Sequence, residues 1–508
     1  MADSAFDTII VHNQDALEEL AWAIAASQGQ FSLVLARCNY TQLRDHLVEQ
    51  LQEQCPVKLR VTRLRQTSKT LYTKIREEIG AEPAEALMVL GLETVNELNE
   101  MLPAMNSVRE EFRKNFPFPI AIWVTDDVRR KLVQLAPDFE SWATTTTFSM
   151  PPDALLVALR DASDRLFTAL LTPDSNRSFR RLLENLDLGF LQRSEIEFAL
   201  QDLHQSNQPL TPDLQATLDF IRGLNAPSNE QALEYFQRSL AYWQGAADGA
   251  TDETDQLSAE LTSNVSVSSA TKSVAPCLIT GLLLYFVGRT IYNICSENKY
   301  RDRNWEPAKQ PLQDCVTVFE QAGRPDLVAK SINQFERVLD RLQAWDELEV
   351  AAQKSVPLQE TASDRGKLAQ DYRYLAMVAL DREQGADAKR YAQLALDTMK
   401  QVPADRRYQG VYLWTLAQAE KLLGERDAAI AHLIEARLLG DQGFPRVYIG
   451  ILEDLRDCYL EQKDYRVAFR LKQERLSIEQ QYQLRAFVGA GRLRPQLQDQ
   501  ELIEAKTP

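Results

Sequence analysis

Residues 412–437 read YLWTLAQAEKLLGERDAAIAHLIEAR. Leu413, Leu416, Ala417 and Glu420 fall at helical spacing, Gly424 marks a turn, and Ala429, Leu433 and Ala436 form a second stripe. Small residues at 417, 429 and 436 let two helices approach closely, while the larger apolar side chains fill the space between them. Outward from this copy, the position of Ala429 recurs at Ala308, Leu348, Ala388 and Ala468, with successive spacings of 40, 40, 41 and 39 residues. Seven residues after each comes a companion: Cys315, Ser355, Ala395, Ala436 and Arg475. Self-similarity at a fixed period predicts a helical-repeat array, with a spacing that resembles the tetratricopeptide repeat but a longer period. One such hairpin cannot bury its own apolar face, so the copies must stack into a solenoid.

The array is expected over 274–490, followed by a polar tail at 491–508. NEQALEYFQRSLAYWQ, with Ala232 and Ser239 seven apart, is expected to be a first, isolated repeat inside a helical linker domain at 151–244. Residues 245–273, rich in Ser, Thr, Ala and Asp, predict a flexible loop. VAPCLITGLLLYFVGRTIYNIC (274–295) runs about 15 residues without charge, short of the ~20 that span a membrane. Leu284, Val287, Gly288 and Ile291 also match the first-helix pattern, so a buried repeat helix is expected there and a membrane-tethered repeat protein is the alternative.

Residues 1–150 follow a different rule. FSLVLARC (31–38), ALMVLGLE (86–93) and PIAIWVTD (119–126) are continuous apolar runs, as strands covered on both faces would be. VKLRVTRL (57–64) alternates like an edge strand, and TTTTFSM (144–150) is a short fifth. Helices are expected between them: one capped by Asn39 or Thr41, one over 69–79, one interrupted at Pro103, and one over 127–135. The prediction is a multidomain chain: an α/β domain at 1–150 with an open, mostly parallel sheet, followed by an all-α solenoid.

A parallel sheet places ligands beyond the carboxyl ends of its strands, which makes Asn39, Glu93 and Asp126 the candidate cofactor-binding residues. A phosphate cradle needs a glycine-rich loop with a lysine and a hydroxyl. The loop here, ARCNYTQLR (36–44), has neither glycine nor lysine, and the pair Gly366-Lys367 has no glycine five residues before it. The bland reading of Glu93 and Asp126 is a helix cap or a solvated loop acid. No catalytic residue, cofactor or metal site is expected; Cys38, His46 and Cys55 lack zinc spacing.

The net charge of −16 argues against general nucleic-acid binding. Six scattered cysteines read as buried thiols of a reducing, cytoplasmic compartment, and MADSAFDTII shows no secretory pattern. The seven tryptophans read as core anchors.

Taken together, LVLARCN (33–39), LMVLGLE (87–93), IAIWVTDDVRRKLVQLAPDFESWATTTTF (120–148) and RAFVGAGRLRPQ (485–496), with repeats between, resemble the amino-terminal region of bacterial signal-transduction ATPases with numerous domains. The resemblance implies a degenerate P-loop-like domain joined to tetratricopeptide-like repeats, and a P-loop module beyond the repeats in longer relatives. This chain ends at Pro508, so a short form is expected. The expected function is a non-enzymatic scaffold or adaptor for a protein or peptide, in bacterial signalling or defence. Arg373, Arg390, Arg406, Arg407 and Arg437 are its candidate partner-binding residues; their bland reading is a solvated helix face. The alternative is a nucleotide-sensing switch with a non-standard site.

Overall fold

The computed structural model describes residues 2–80, 84–173, 177–257, 276–297, 304–402, 406–439, 444–482 and 484. The tail at 491–508 and the stretch RAFVGAGRLRPQ lie outside these residues. The elements run α1 (Ala2–Ala26), β1 (Ser32–Arg37), α2 (Thr41–Gln54), β2 (Leu59–Arg63), α3 (Leu71–Ile79), β3 (Ala86–Leu90), α4 (Leu98–Ser107), α5 (Arg109–Asn115), β4 (Pro119–Val124), α6 (Asp126–Leu135), α7 (Pro137–Glu140) and β5 (Ala143–Thr147). Helices follow: α8 (Pro152–Leu171), α9 (Phe179–Glu184), α10 (Ile196–Gln205), α11 (Pro212–Asn225), α12 (Asn229–Leu257) and α13 (Pro276–Glu297). The last are α14 (Glu306–Gln321), α15 (Pro325–Leu342), α16 (Trp345–Thr361), α17 (Arg365–Asp381), α18 (Gly385–Lys400), α19 (Arg406–Leu422), α20 (Arg426–Leu438), α21 (Pro445–Glu461) and α22 (Tyr465–Gln481). Two compact units result: residues 1–168 with 186–221, and residues 169–185 with 222–508.

In the first unit the five strands lie in the order β2-β3-β4-β1-β5, and every pair is parallel. All residues of β3 and β4 are buried, as their unbroken apolar runs require, while β2 and β5 at the edges are partly exposed. Leu33, Leu35, Leu87, Val89, Ile120 and Ile122 share one core with Leu71 and Ile75 of α3, Met101 and Met105 of α4, Leu132 of α6 and Phe139 of α7. Leu43, Leu47 and Leu51 of α2 are fully buried outside that core. The crossover after β1 therefore leaves in the opposite direction from those after β2, β3 and β4, and the order reverses between β1 and β4.

Local detail departs from expectation at Pro103. It sits inside α4, and the break falls at Val108. Met101, Leu102 and Met105 are all buried, and that packing offsets the ~3 kcal/mol an internal proline costs. Trp123 is a core anchor, stacked 5.1 Å from Phe148, but Trp22 is 72% exposed and anchors nothing. All six cysteines are free; Cys38, Cys315 and Cys458 are buried, whereas Cys277 is exposed and Cys55 and Cys295 are half-buried.

In the second unit, helices α13 to α22 form consecutive antiparallel hairpins. Six turns repeat one geometry: Gly323, Gln343, Ser363, Glu383, Gly424 and Lys463 hold positive φ between 55° and 77°. The next amide in each turn bonds back to a carbonyl five residues earlier, as Arg324 to Phe319, Ala344 to Leu339, Asp364 to Gln359 and Gln384 to Ala379. This is a left-handed helix stop with its 6→1 bond. Helices of 16 to 18 residues in α14–α18 plus these turns give about 20 residues per element, which is why the repeat is near 40.

The apolar stretch at 274–295 forms α13. It is the one helix among the described residues long and apolar enough to cross a membrane, and 61% of its apolar window is buried. Gly281 and Gly288 explain how it packs: a Cβ there would stand 2.6 Å from the Phe319 ring and 2.5 Å from Leu312. Two glycines seven apart thus seat two large α14 side chains seven apart. The loop expected over 245–273 begins later than predicted, because α12 continues to Leu257; Ala246, Ala247 and Ala250 favour helix. Residues 258–275 lie outside the described residues.

Gly288→Ala is expected to lower the unfolding free energy by about 1–3 kcal/mol through overpacking on Leu312. Glu383→Gly, which relieves a left-handed non-glycine residue, is expected to raise it by up to about 1 kcal/mol. Urea denaturation followed by circular dichroism measures both, and equal midpoints for the two variants would contradict this packing.

Candidate functional site

In the first unit, the reversal between β1 and β4 is where a parallel sheet offers its ligand crevice. The chain brings Asn39 and Asp126 together there. Asn39 donates to Asp126 Oδ2 at 2.8 Å and accepts from the Asp126 amide at 2.9 Å. The Arg37 guanidinium forks onto both Asp126 oxygens. Burial pushes the Asp126 carboxyl up, but the bonds from Arg37 and Asn39 outweigh it and hold the group below its usual value. Glu93 is engaged separately by Arg44, whose side chain is 8% exposed. The three candidates are thus neither caps nor free acids: each carboxylate is held by an arginine.

The N-terminus of α2 is the place where a phosphate would meet the backbone amides. Neither Asn39 nor Thr41 caps it; the N-cap is Tyr40, which makes no side-chain cap bond. The Thr41 amide instead donates to Glu195 Oε1 at 2.7 Å, and the other Glu195 oxygen accepts from the Gln192 amide at 3.0 Å. Glu195 is 3% exposed. The anion at this helix end is therefore the chain's own carboxylate. Tyr40 donates to Asp202, and burial drives its phenol far above the ordinary value. Cys38, fully buried, has its thiol pushed up to about 12, which removes it as a nucleophile at neutral pH. Beside these groups lies a shallow cavity of 480 Å³ lined by Arg37, Asp126, Arg129, Arg130, Gln201 and neighbours. Arg129 Nε is buried there without an acceptor.

Glu195, Asp202, Arg37 and Arg44 were absent from the sequence-derived candidates. Gln192 and Glu195 form a capping box that marks a helix start, but nothing local ties Glu195 to a residue 154 positions away.

In the second unit the five arginine candidates separate. Arg390 on α18 pairs with Asp387 and lies 4.4 Å from the Tyr391 ring centroid. Arg437 on α20 forks onto Glu474, which Tyr448 also holds. Both are neutralised within the chain. Arg406 and Arg407 open α19, and their side chains lie outside the described residues. Arg373 on α17 is half-buried over Tyr374, with its Nε unpaired.

Helix α17 also bears one of a pair of buried acids. Glu336 of α15 and Asp371 of α17 are both 0% exposed, and Asn333 donates to each at 2.8 Å. Glu336 Oε1 and Asp371 Oδ2 are buried without a hydrogen-bond partner, and the two carboxyls lie against each other. Ser355 and Gln359 of α16 and Lys367 complete the surroundings; Lys367 of the Gly-Lys pair donates to the Ala329 carbonyl at 2.9 Å. Burial pushes Asp371 up to about 7 and Glu336 well above its usual value.

No protein-family model matches the chain. It is 22% identical over 214 residues to an uncharacterised WD repeat-containing protein of Synechocystis sp., a match covering 36% of this chain and 12% of that protein. Among solved structures it is similar to the apo form of RapI, with 11% identity, 75% of this chain and 95% of that one covered, and a TM-score of 0.39. It is also similar to a Pyrococcus horikoshii signal-transduction ATPase with numerous domains carrying a tetratricopeptide repeat sensor, with 11% identity, 91% and 89% covered, and a TM-score of 0.34.

Two outcomes follow from the geometry. Glu195→Ala is expected to cost about 1–3 kcal/mol by leaving the Thr41 amide unpaired, and Glu195→Gln to cost less, as read from urea unfolding. For the acid pair, a carboxyl whose folded pKa is raised binds more protons folded than unfolded. The unfolding free energy should therefore fall as pH rises from about 4 through about 7, and Asp371→Asn should flatten that fall.

Proposed function

We propose that the chain is a non-enzymatic scaffold whose repeat array holds a protein or peptide partner in the cytoplasm. One observation carries the reading: at the reversal of the sheet, the position of a bound phosphate is taken by Glu195, and the acids that would handle magnesium are taken by Arg37 and Arg44. The repeats supply what the sheet lacks, a run of stacked helices with polar groups left unmatched. A second reading, a nucleotide-sensing switch, draws support from the cavity beside Arg129.

Affinity capture by the full chain, followed by cross-linking and mass spectrometry, tests the first reading. Cross-links from a partner to α13–α22 are expected. A partner linked solely to residues 1–168 would overturn it, and photolabelling of α6 by an azido-nucleotide would favour the second reading instead.

A further inference from the structure

The even turns place α13, α15, α17 and α19 as successive first helices of the hairpins, and their shared face carries a run of arginines and tyrosines. Arg337, on α15, is exposed and has no carboxylate partner, whereas Glu336 beside it is buried with Asp371. The groups that surround Arg337 are phenols: Tyr285 and Tyr292 of α13, Tyr374 of α17 and Tyr408 of α19. Arg341, one turn on and also exposed, is held by Tyr292 and lies 5.7 Å from the Trp305 ring centroid. Arg289 on α13 stands beside Tyr285, and Arg373 on α17 stands over Tyr374. None of the four makes a carboxylate ion pair among the described residues, in a chain whose net charge is −16. Elsewhere on the array, arginines find acids, as Arg382 finds Asp346 and Glu349, and Arg437 finds Glu474.

A second observation points the same way. Three buried donors at this face lack an acceptor: Arg373 Nε, Gln334 Nε2 and Trp305 Nε1. Buried donors are ordinarily satisfied, and an unmet donor costs about 1–3 kcal/mol. A ligand rich in acceptor oxygens would remove that cost and the cation excess together. Two acids face these groups: Asp340 acts on Arg341 and Tyr374, and the buried Glu336 acts on Tyr374. Arginine over tyrosine also forms a planar, already ordered donor set suited to carboxylates.

We propose that this face, centred on Arg337 and Arg341 with Arg289 and Arg373 on its flanks, binds an extended acidic peptide segment of a partner protein. The proposal rests on the scaffold reading and adds the chemistry of what is held. It differs from a general basic patch, because the paired Arg390 and Arg437 take no part.

Selection of a random twelve-residue display library on the full chain, then anisotropy titration of the selected peptides, tests it. Peptides enriched in Asp and Glu are expected. Arg337→Gln with Arg341→Gln should weaken their binding by at least about ten-fold, as the loss of one or two charge-assisted bonds implies. Arg390→Gln should leave it unchanged. Arg337, Arg341 and Arg390 are all exposed, and an unaltered thermal melt would exclude unfolding as the cause. Selected peptides without acidic bias, or binding insensitive to the double substitution, would overturn this proposal while leaving the scaffold reading in place. Failure of the chain to retain any peptide, together with no cross-linked partner on the repeats, would overturn both.

Discussion

A single helical hairpin leaves half of its apolar surface in water, and the second unit is built around that constraint. Each helix must present small residues to one neighbour and large ones to the next. Ala388, Ala429 and Ala417 are all fully buried at such contacts. The turn between helices has to deliver the chain to the same place every time. It does so with one left-handed residue and one backward hydrogen bond at six turns between Gly323 and Lys463. Glycine fills that position at two of the six, so the chain accepts local strain elsewhere to keep the geometry. Regular stacking then aligns side chains across successive helices, and a stripe of polar groups on one face becomes a surface instead of scattered points.

The first unit shows the reverse economy. Its sheet has the parallel order and the reversal that make a ligand crevice, yet the polar groups at the crevice are matched to each other. Arg37 with Asp126, Arg44 with Glu93, Tyr40 with Asp202 and Glu195 with the Thr41 amide leave few unsatisfied sites. A buried charge pair broken on one side is strongly destabilising. A ligand entering here would have to displace a bonded carboxylate from a helix end, and would recover only what that carboxylate already supplies. The same sheet geometry can thus serve as a structural platform.

Much of this was legible in the sequence, for identifiable reasons. Unbroken apolar runs such as Ala86–Leu90 and Pro119–Val124 are fully buried strands, and the alternating run at Leu59–Arg63 is an edge. The alanine positions set the repeat because small residues are required wherever helices touch. What stayed hidden depends on distance along the chain or on packing that overrides propensity. Pro103 is carried inside a helix by three buried neighbours. The turn positions at Gln343, Ser363, Glu383 and Lys463 bear no glycine signal. Arg437 looked available until its partner Glu474, 37 residues on, was placed beside it. The candidate acids Glu93 and Asp126 were visible, but the arginines that hold them were not, because no local pattern links Arg37 to a residue 89 positions later.

The most direct test concerns the end of α2. Titration calorimetry of the full chain with ATP and magnesium should give no saturable heat, because the carboxylate of Glu195 already occupies the anion position. Saturable binding that is lost when Arg37 or Asp126 is replaced would contradict the account.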